Sequence, residues 1–359
     1  MVDRENVLKA CIMSPHDSTH ADPALAVPRS LRSRLQQVAE TLNQIIASIE
    51  RATPAGIPIT LAEHRREFYG VMNALGVGIL DFLAENPSPT EIDTVRTQVV
   101  TPIRTWSATS PIFNRAFRSA ANGPRDYEVP ALVIHNRSAG ADLSSLVLND
   151  FYLHSIAADA LRNRYTMLVA RLQREVTLRT HAGINPVQVL DLKCDAGNEL
   201  VALAGEPEFA LTEITCLDED TTALRAARAK LDKLLPTRMR FLRVSALRYA
   251  QSPMRRSHHY DITYAAVLLD HLTDRQAVAL IRDCYGLLAA GGALILGSPT
   301  SGVPAGERAL IAWVLDLVVH YRDESGFQRL FAQTPFGSEA LHFEREPLGG
   351  DLLVSATRS

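Results

Sequence analysis

The chain has only four cysteines and two tryptophans in 359 residues, aromatic residues make up 6%, and its formal charge is only -3. Each scarcity excludes something. Cys11, Cys194, Cys216 and Cys284 are spread too widely for a zinc pattern. Three of them sit in or beside apolar runs that read as core, so reduced thiols and a cytoplasmic location are expected. The small net charge leaves no basic footprint for nucleic acid. The longest apolar stretch, Ile311–Val319, is interrupted by Asp316 and is too short to span a bilayer, so no membrane partner is expected. The first thirty residues mix charges with prolines around no apolar signal core, so no leader is expected.

What is present is ample apolar content, 47% hydrophobic residues, enough for one large domain or two smaller ones. Residues 1–28 read as a flexible arm. From Ser30 the pattern is helical: Leu31, Leu35, Val38, Leu42, Ile45, Ile46 and Ile49 recur at three- and four-residue spacing. Thr60 is placed to cap a second helix, with Glu63 in the capping-box position. Val71–Ala84 is a more apolar helix that ends at Asn86-Pro87-Ser88-Pro89, and another helix begins at Pro89. Residues 106–150 are less regular, with a helix over Leu146–His154, and a long helix then runs from Ala157 to Thr180. The stop signal His181–Pro186 divides a helical domain, 29–183, from a second domain, 186–359.

After Pro186 strands and helices alternate. Strands are expected over Val187–Leu192, Ala210–Asp218, Arg238–Val244, Asp261–Leu268 and Ala293–Gly297. Helices are expected over Thr221–Leu234, Asp274–Ala289 and Ile311–Tyr321, with a terminal hairpin of Leu341–Arg345 and Leu352–Ala356. The grammar is α/β, a doubly wound sheet with ligands at the carboxyl ends of its strands.

The stretch Val187–Leu200, VQVLDLKCDAGNEL, carries the most chemistry. Two hydrophobic residues lead into Asp191, and a tight turn leads into a helix near Asn198. It resembles the first strand and nucleoside-binding loop of class I S-adenosylmethionine (SAM) enzymes, whose turn is acidic-x-Gly-x-Gly-x-Gly so that backbone can pass close to the cofactor. Here the glycine positions read Lys193, Asp195 and Gly197. The resemblance implies that Asp191, Lys193, Asp195 and Gly197 surround the methionine end of SAM. Lys193 would then meet its carboxylate, while Asp195 would pair with Lys193 or approach the ammonium or sulfonium. A non-glycine residue at positive φ costs about 1–2 kcal/mol, which a fold tolerates.

Asp218 ends the second strand, about twenty residues beyond Gly197, where a carboxylate accepts ribose hydroxyls or serves as an acidic helix cap. Ser245 and Ala246 follow the third strand, in the loop that contacts adenine or as a helix cap, with Leu217 and Leu247 available to sandwich a ring. His271, beyond the fourth strand, is either a base or substrate contact facing the reactive end of SAM, or a structural histidine capping the next helix. His258-His259 read as a solvated turn, because no acidic or cysteine partner has ligand spacing, so no metal is expected.

From about Pro102 onward the chain resembles the bacterial methyltransferases of 3-hydroxypalmitic acid methyl ester quorum signals. The resemblance rests on Trp106-Ser107-Ala108-Thr109-Ser110-Pro111, Asp126-Tyr127-Glu128, Leu161-Arg162-Asn163-Arg164, Tyr260–Arg275 and His320-Tyr321-Arg322-Asp323. It implies an all-α lid domain over a SAM-binding Rossmann-like domain, with Asp126, Tyr127 and Glu128 at the roof of the active site. Two departures are the loop Leu192–Gly197 and the stretch Ala121–Arg125, where the family's tyrosine is missing.

Three functions follow as expectations. The first is a SAM-dependent methyltransferase acting on an oxygen or carboxylate of a small metabolite. The second is a cyclase like the azetidine-2-carboxylate synthases, in which SAM's own amine attacks its γ-carbon and Asp126, Tyr127, Tyr152 or His271 relays the proton. The third is a non-catalytic SAM-fold partner protein.

Overall fold

A computed structural model of the chain describes residues 27–52, 61–122, 127–234, 238–252, 259–339 and 341–359. Residues 1–26 of the expected arm, Thr60, Asp126 and His258 lie outside the described residues. The described residues form two compact units. One takes the chain up to Asp159 together with Val303–Val318, and the other takes Ala160–Gly302 together with Val319–Ser359.

The first unit is helical: α1 (Arg29–Ala52), α2 (Arg65–Ala84), α3 (Pro89–Trp106), α4 (Pro111–Asn122), α5 (Glu128–Ile134), α6 (Leu143–Leu153), the first turn of α7 (Ile156–His181), and α12 (Ala305–Val314). The three- and four-residue spacing of α1 buries Leu31, Val38, Leu42, Ile45 and Ile49 against α2. Ser88 caps α3 with a full capping box to Glu91, and Asp142 caps α6. At the start of α2, His64 makes no side-chain cap bond. Gly76 of α2 and Gly306 of α12 let the two helices touch: a Cβ on Gly76 would lie 2.1 Å from the Gly306 carbonyl oxygen. Among the described residues α2 alone is long and apolar enough to cross a membrane, and half of that stretch is buried in the unit.

The second unit is a seven-stranded sheet in the order β3-β2-β1-β4-β5-β7-β6. Its strands are β1 (Val187–Asp191), β2 (Thr212–Asp218), β3 (Arg238–Arg243), β4 (Tyr260–Ala265), β5 (Leu288–Pro299), β6 (His342–Arg345) and β7 (Asp351–Thr357). The first five pair in parallel, and β7 joins β5 and β6 antiparallel. The expected terminal hairpin is therefore present. Helices α8 (Asn198–Leu203), α9 (Thr221–Leu234), α10 (Ala246–Gln251), α11 (Asp274–Leu287) and α13 (Glu324–Phe331) connect the strands. The parallel strands are nearly continuous apolar runs because both faces are covered: Val189, Leu190, Ile214, Leu217, Ile262 and Leu294 are all enclosed. The order reverses between β1 and β4, which leaves a crevice at the carboxyl ends of β1 and its neighbours.

The structure departs from the sequence expectations in three places. The division of the chain comes at Asp159, within α7, instead of at His181–Pro186. The physical reason is that Arg164 and Arg171 on α7 pair with Asp270, Asp351 and Glu344 of the sheet unit. The helix expected over Ile311–Tyr321 starts earlier, at Ala305, and stops at Val314. Asp316 then takes a left-handed conformation (φ 54°) with its carboxylate on Arg96, which holds the chain out of the helix. The irregular segment 106–150 contains α4, α5 and α6.

Candidate functional site

The loop after β1 is built by backbone hydrogen bonds to both neighbouring strands. Leu192 N–H donates to the Tyr264 carbonyl of β4, and Cys194 N–H donates to the Leu217 carbonyl of β2, each at 2.9 Å. The turn closes through Gly197 N–H to the Cys194 carbonyl. Asp195 (φ 44°) and Gly197 (φ 63°) are both left-handed, so an aspartate holds a backbone state that glycine adopts without strain. Gly197 is also hemmed in, since a Cβ there would lie 2.8 Å from Leu231 Cδ1.

Three charged side chains meet over this loop. Lys193 Nζ lies 2.7 Å from Asp195 Oδ1 and 2.6 Å from Asp218 Oδ2. Asp218 also accepts from Asp195 N–H on Oδ2 (3.1 Å) and from Asp220 N–H on Oδ1 (2.9 Å), and its side chain is fully enclosed. Burial pulls the Lys193 ammonium down, but the two carboxylates outweigh it and hold the charge on, raising its pKa. Asp195 is raised by burial, against the pull of Lys193. The expected alternative in which Asp195 pairs with Lys193 is the arrangement seen, and Lys193 adds the bond to Asp218.

Beneath the loop lies a cluster that sequence reasoning missed. The Tyr264 hydroxyl of β4 lies 2.9 Å from Asp191 Oδ2, to which it donates, and 3.2 Å from Glu199 Oε1, and all three residues are buried. Lys193 N–H donates to Asp191 Oδ1. Burial, then the charge of Glu199, raises Asp191 well above the carboxylate range, and burial raises Glu199 as well. Burial, and at Asp191 the charge of Glu199, thus favour the protonated form at this pair. Glu199 stands two residues beyond Gly197, yet the sequence has no signal that turns its carboxylate inward.

The segment after β4 is held by two buried arginines. Arg164 of α7 donates to the Ala266 carbonyl (2.8 Å), to Asp270 (2.8 and 3.1 Å) and to Asp351 (2.8 Å). Arg322 donates to the Leu269 and Leu272 carbonyls and to Asp274. Two of the blocks behind the family resemblance, Leu161–Arg164 and His320–Asp323, thus serve to fix this turn. His271 ends a short helical turn there and is partly exposed. It does not cap α11: Thr273 does, in a capping box with Gln276.

Ser245 occupies the N-cap position of α10 without a side-chain cap bond, and Ala246 is buried. Leu217, expected to flank a ring, is fully enclosed in the core beside Ala246, so it offers no free face. Tyr127 and Tyr152 belong to the helical unit. Tyr127 donates to its neighbour Glu128 at 3.1 Å, and Glu128 is paired with Arg115. Tyr152 lines a small apolar cavity of about 20 Å³ with Phe113, Phe151 and Glu307, and burial, with the Glu307 charge, pushes its hydroxyl up to about 12. Among the described residues no group of histidine, cysteine, aspartate or glutamate side chains has the arrangement of a metal site.

Comparison with known proteins bears on the sheet unit most directly. Residues 189–292 match a family model described as a methyltransferase domain. No curated protein sequence matches the chain. Among solved structures, a protein from Bordetella parapertussis described as a possible exported protein superposes with a TM-score of 0.54 at 16% identity, covering 92% of this chain and 97% of that one. The S-adenosylmethionine-dependent methyltransferase SibL, in its apo form, gives 0.47 at 17% identity over 91% and 96%. Magnesium protoporphyrin IX methyltransferase from Synechocystis, solved with bound SAM, gives 0.41 at 15% identity over 57% and 84%. The match over β1 to β5, the strand order and the antiparallel β7 together make the sheet unit a Rossmann-like methyltransferase fold.

Proposed function

We propose that the chain is a SAM-dependent methyltransferase acting on an oxygen or carboxylate of a small metabolite. The observation that carries this reading is the position of Asp218. Its carboxylate ends β2 directly beside the β1 loop, one strand from the reversal between β1 and β4, where a nucleoside's hydroxyls are accepted in this architecture. The loop supports the same ligand: Asp195 and Gly197 supply the left-handed turn, and the absence of a Cβ at Gly197 lets the turn pack against Leu231 of α9. Ser245 and Ala246 follow β3 beside Asp218, whose carbonyl accepts Val244 N–H, and suit the edge of adenine. SAM, when bound, would supply a methyl group on a sulfonium, for transfer to an acceptor oxygen aligned in line with the carbon–sulfur bond, with S-adenosylhomocysteine as the leaving group.

One observation favours cyclisation of SAM as a second reading. There the amine forms a bond to its own γ-carbon, the γ-carbon–sulfur bond breaks, methylthioadenosine leaves, and the ammonium proton must pass to a base. Asp191 and Glu199, which burial raises and which share the Tyr264 hydroxyl, lie directly under the loop and would receive that proton. The test is incubation of the purified protein with SAM alone and with a panel of hydroxylated and carboxylic acid acceptors, with mass analysis of the nucleosides. S-adenosylhomocysteine formed only with an acceptor supports methylation, and methylthioadenosine formed in turnover quantity selects cyclisation. A titration showing no affinity for SAM or S-adenosylhomocysteine overturns both and leaves a non-catalytic partner protein.

A further inference from the structure

The ion pair across the β1 loop sets a limit on what Asp218 can accept. A carboxylate offers about four acceptor positions. Three on Asp218 are taken, by Lys193 Nζ, Asp195 N–H and Asp220 N–H. A ribose diol needs two, and one is left. The two backbone donors are fixed by the chain, because Asp195 and Asp220 are held in the turns that build the loop and the start of α9. Lys193 is the donor that is able to leave. Its ammonium ends a flexible four-carbon stem, and its side chain is 23% exposed where that of Asp218 is 0%. It keeps a second partner in Asp195 when it goes.

We propose that Lys193 is a specificity-determining residue that competes with the ribose of a bound nucleoside for Asp218. This rests on the SAM reading of the site. With Lys193 in place the chain holds a nucleoside by at most one hydroxyl on Asp218, and a two-hydroxyl grip requires Lys193 to withdraw to Asp195. The cost appears as weakened affinity. A site that is competent for only a fraction of the time binds with its intrinsic dissociation constant divided by that fraction. If Lys193 occupies Asp218 for about nine-tenths of the time, affinity falls roughly tenfold. The role differs from the one the loop resemblance implies, in which Lys193 grips the methionine carboxylate and strengthens binding. It differs also from a purely structural role, in which removing the ammonium lowers stability and leaves affinity unchanged.

The experiment is isothermal titration of the full chain with S-adenosylhomocysteine, comparing wild type with Lys193→Met. Methionine keeps the length of the stem and removes the charge. Because that change leaves Asp195 and Asp218 facing each other, a double variant, Lys193→Met with Asp195→Asn, relieves the repulsion and carries the test if the single variant does not fold. Melting curves by circular dichroism establish folding. Roughly tenfold tighter binding in a folded variant is expected, as is binding by the variant where wild type shows none. Equal affinity in wild type and variant overturns the proposal and leaves the SAM reading standing. Weaker binding in the variant also overturns it and returns Lys193 to the methionine carboxylate. If neither wild type nor either variant binds, the proposal and the nucleoside reading both fall.

Discussion

Replacing Arg164 with methionine removes the cation that holds the turn after β4. Arg164 is 2% exposed, and its guanidinium serves the Ala266 carbonyl, Asp270 and Asp351 together. Methionine fills much of the same volume but donates nothing, so two buried carboxylates lose their partner. Breaking a buried ion pair by removing one member costs about 3–5 kcal/mol. The cost depends on pH, because one guanidinium already serves two acids. Burial, with the charges of Asp270 and Glu346 adding to it, raises Asp351 to about 7 against the pull of Arg164. The native state therefore keeps a proton on Asp351 that the unfolded chain gives up near 4. That contribution is complete below about pH 4 and is lost as pH rises through about 7. Without Arg164 the carboxyl moves further up, so the gap between wild type and variant should widen with pH. Urea unfolding followed by circular dichroism should show a loss of about 3–5 kcal/mol at pH 7.5 and a clearly smaller loss at pH 5. Arg164→Lys should fall between the two, since an ammonium cannot serve both acids in the fork geometry. A variant within about 1 kcal/mol of wild type at pH 7.5, against that expected loss, or a gap that does not change with pH, would refute the reasoning.

Three further outcomes follow from the same geometry. Asp351→Asn removes the pH dependence of that buried acid, so its stability relative to wild type should rise by about 3 kcal/mol between pH 5 and pH 8.5, with the change complete soon after pH 7; melting temperature against pH reads this directly. Tyr264→Phe removes the hydroxyl shared by Asp191 and Glu199 and should cost about 1–3 kcal/mol. Both acids are raised by burial while the hydroxyl holds them down, so without it they rise further, and the stability that their protonated form contributes at low pH should be lost over a range that extends to higher pH than in wild type. Gly76→Ala places a Cβ 2.1 Å from the Gly306 carbonyl oxygen and should cost about 3 kcal/mol or more in urea unfolding of the full chain, with an unchanged melt arguing against the close helix contact.

The features legible in the sequence are those written in local spacing. The seven-residue stagger of α1, the capping box at Ser88, the helix Thr221–Leu234 and the alternation of strands with helices all arise from neighbours along the chain. The placement of Asp191 and Asp218 at strand ends, and of Gly197 just before α8, was legible in the same way. What escaped is long-range. The helix at Ile311 was read too far because Arg96, more than two hundred residues earlier, takes Asp316. The unit boundary moved because α7 spends its arginines on the sheet.

The sequence by itself therefore determined the succession of strands and helices along the chain, the loop between β1 and α8, and the presence of a lysine and an aspartate at two of its glycine positions. Only the tertiary structure decided how those charges are spent. Lys193 reaches Asp218 across 25 residues because β1 and β2 pair in parallel and bring their carboxyl ends side by side. Tyr264 meets Asp191 and Glu199 because β4 pairs with the other edge of β1. Partner choice among charged side chains depends on strand register and burial, and neither is written in the spacing of residues along a single strand.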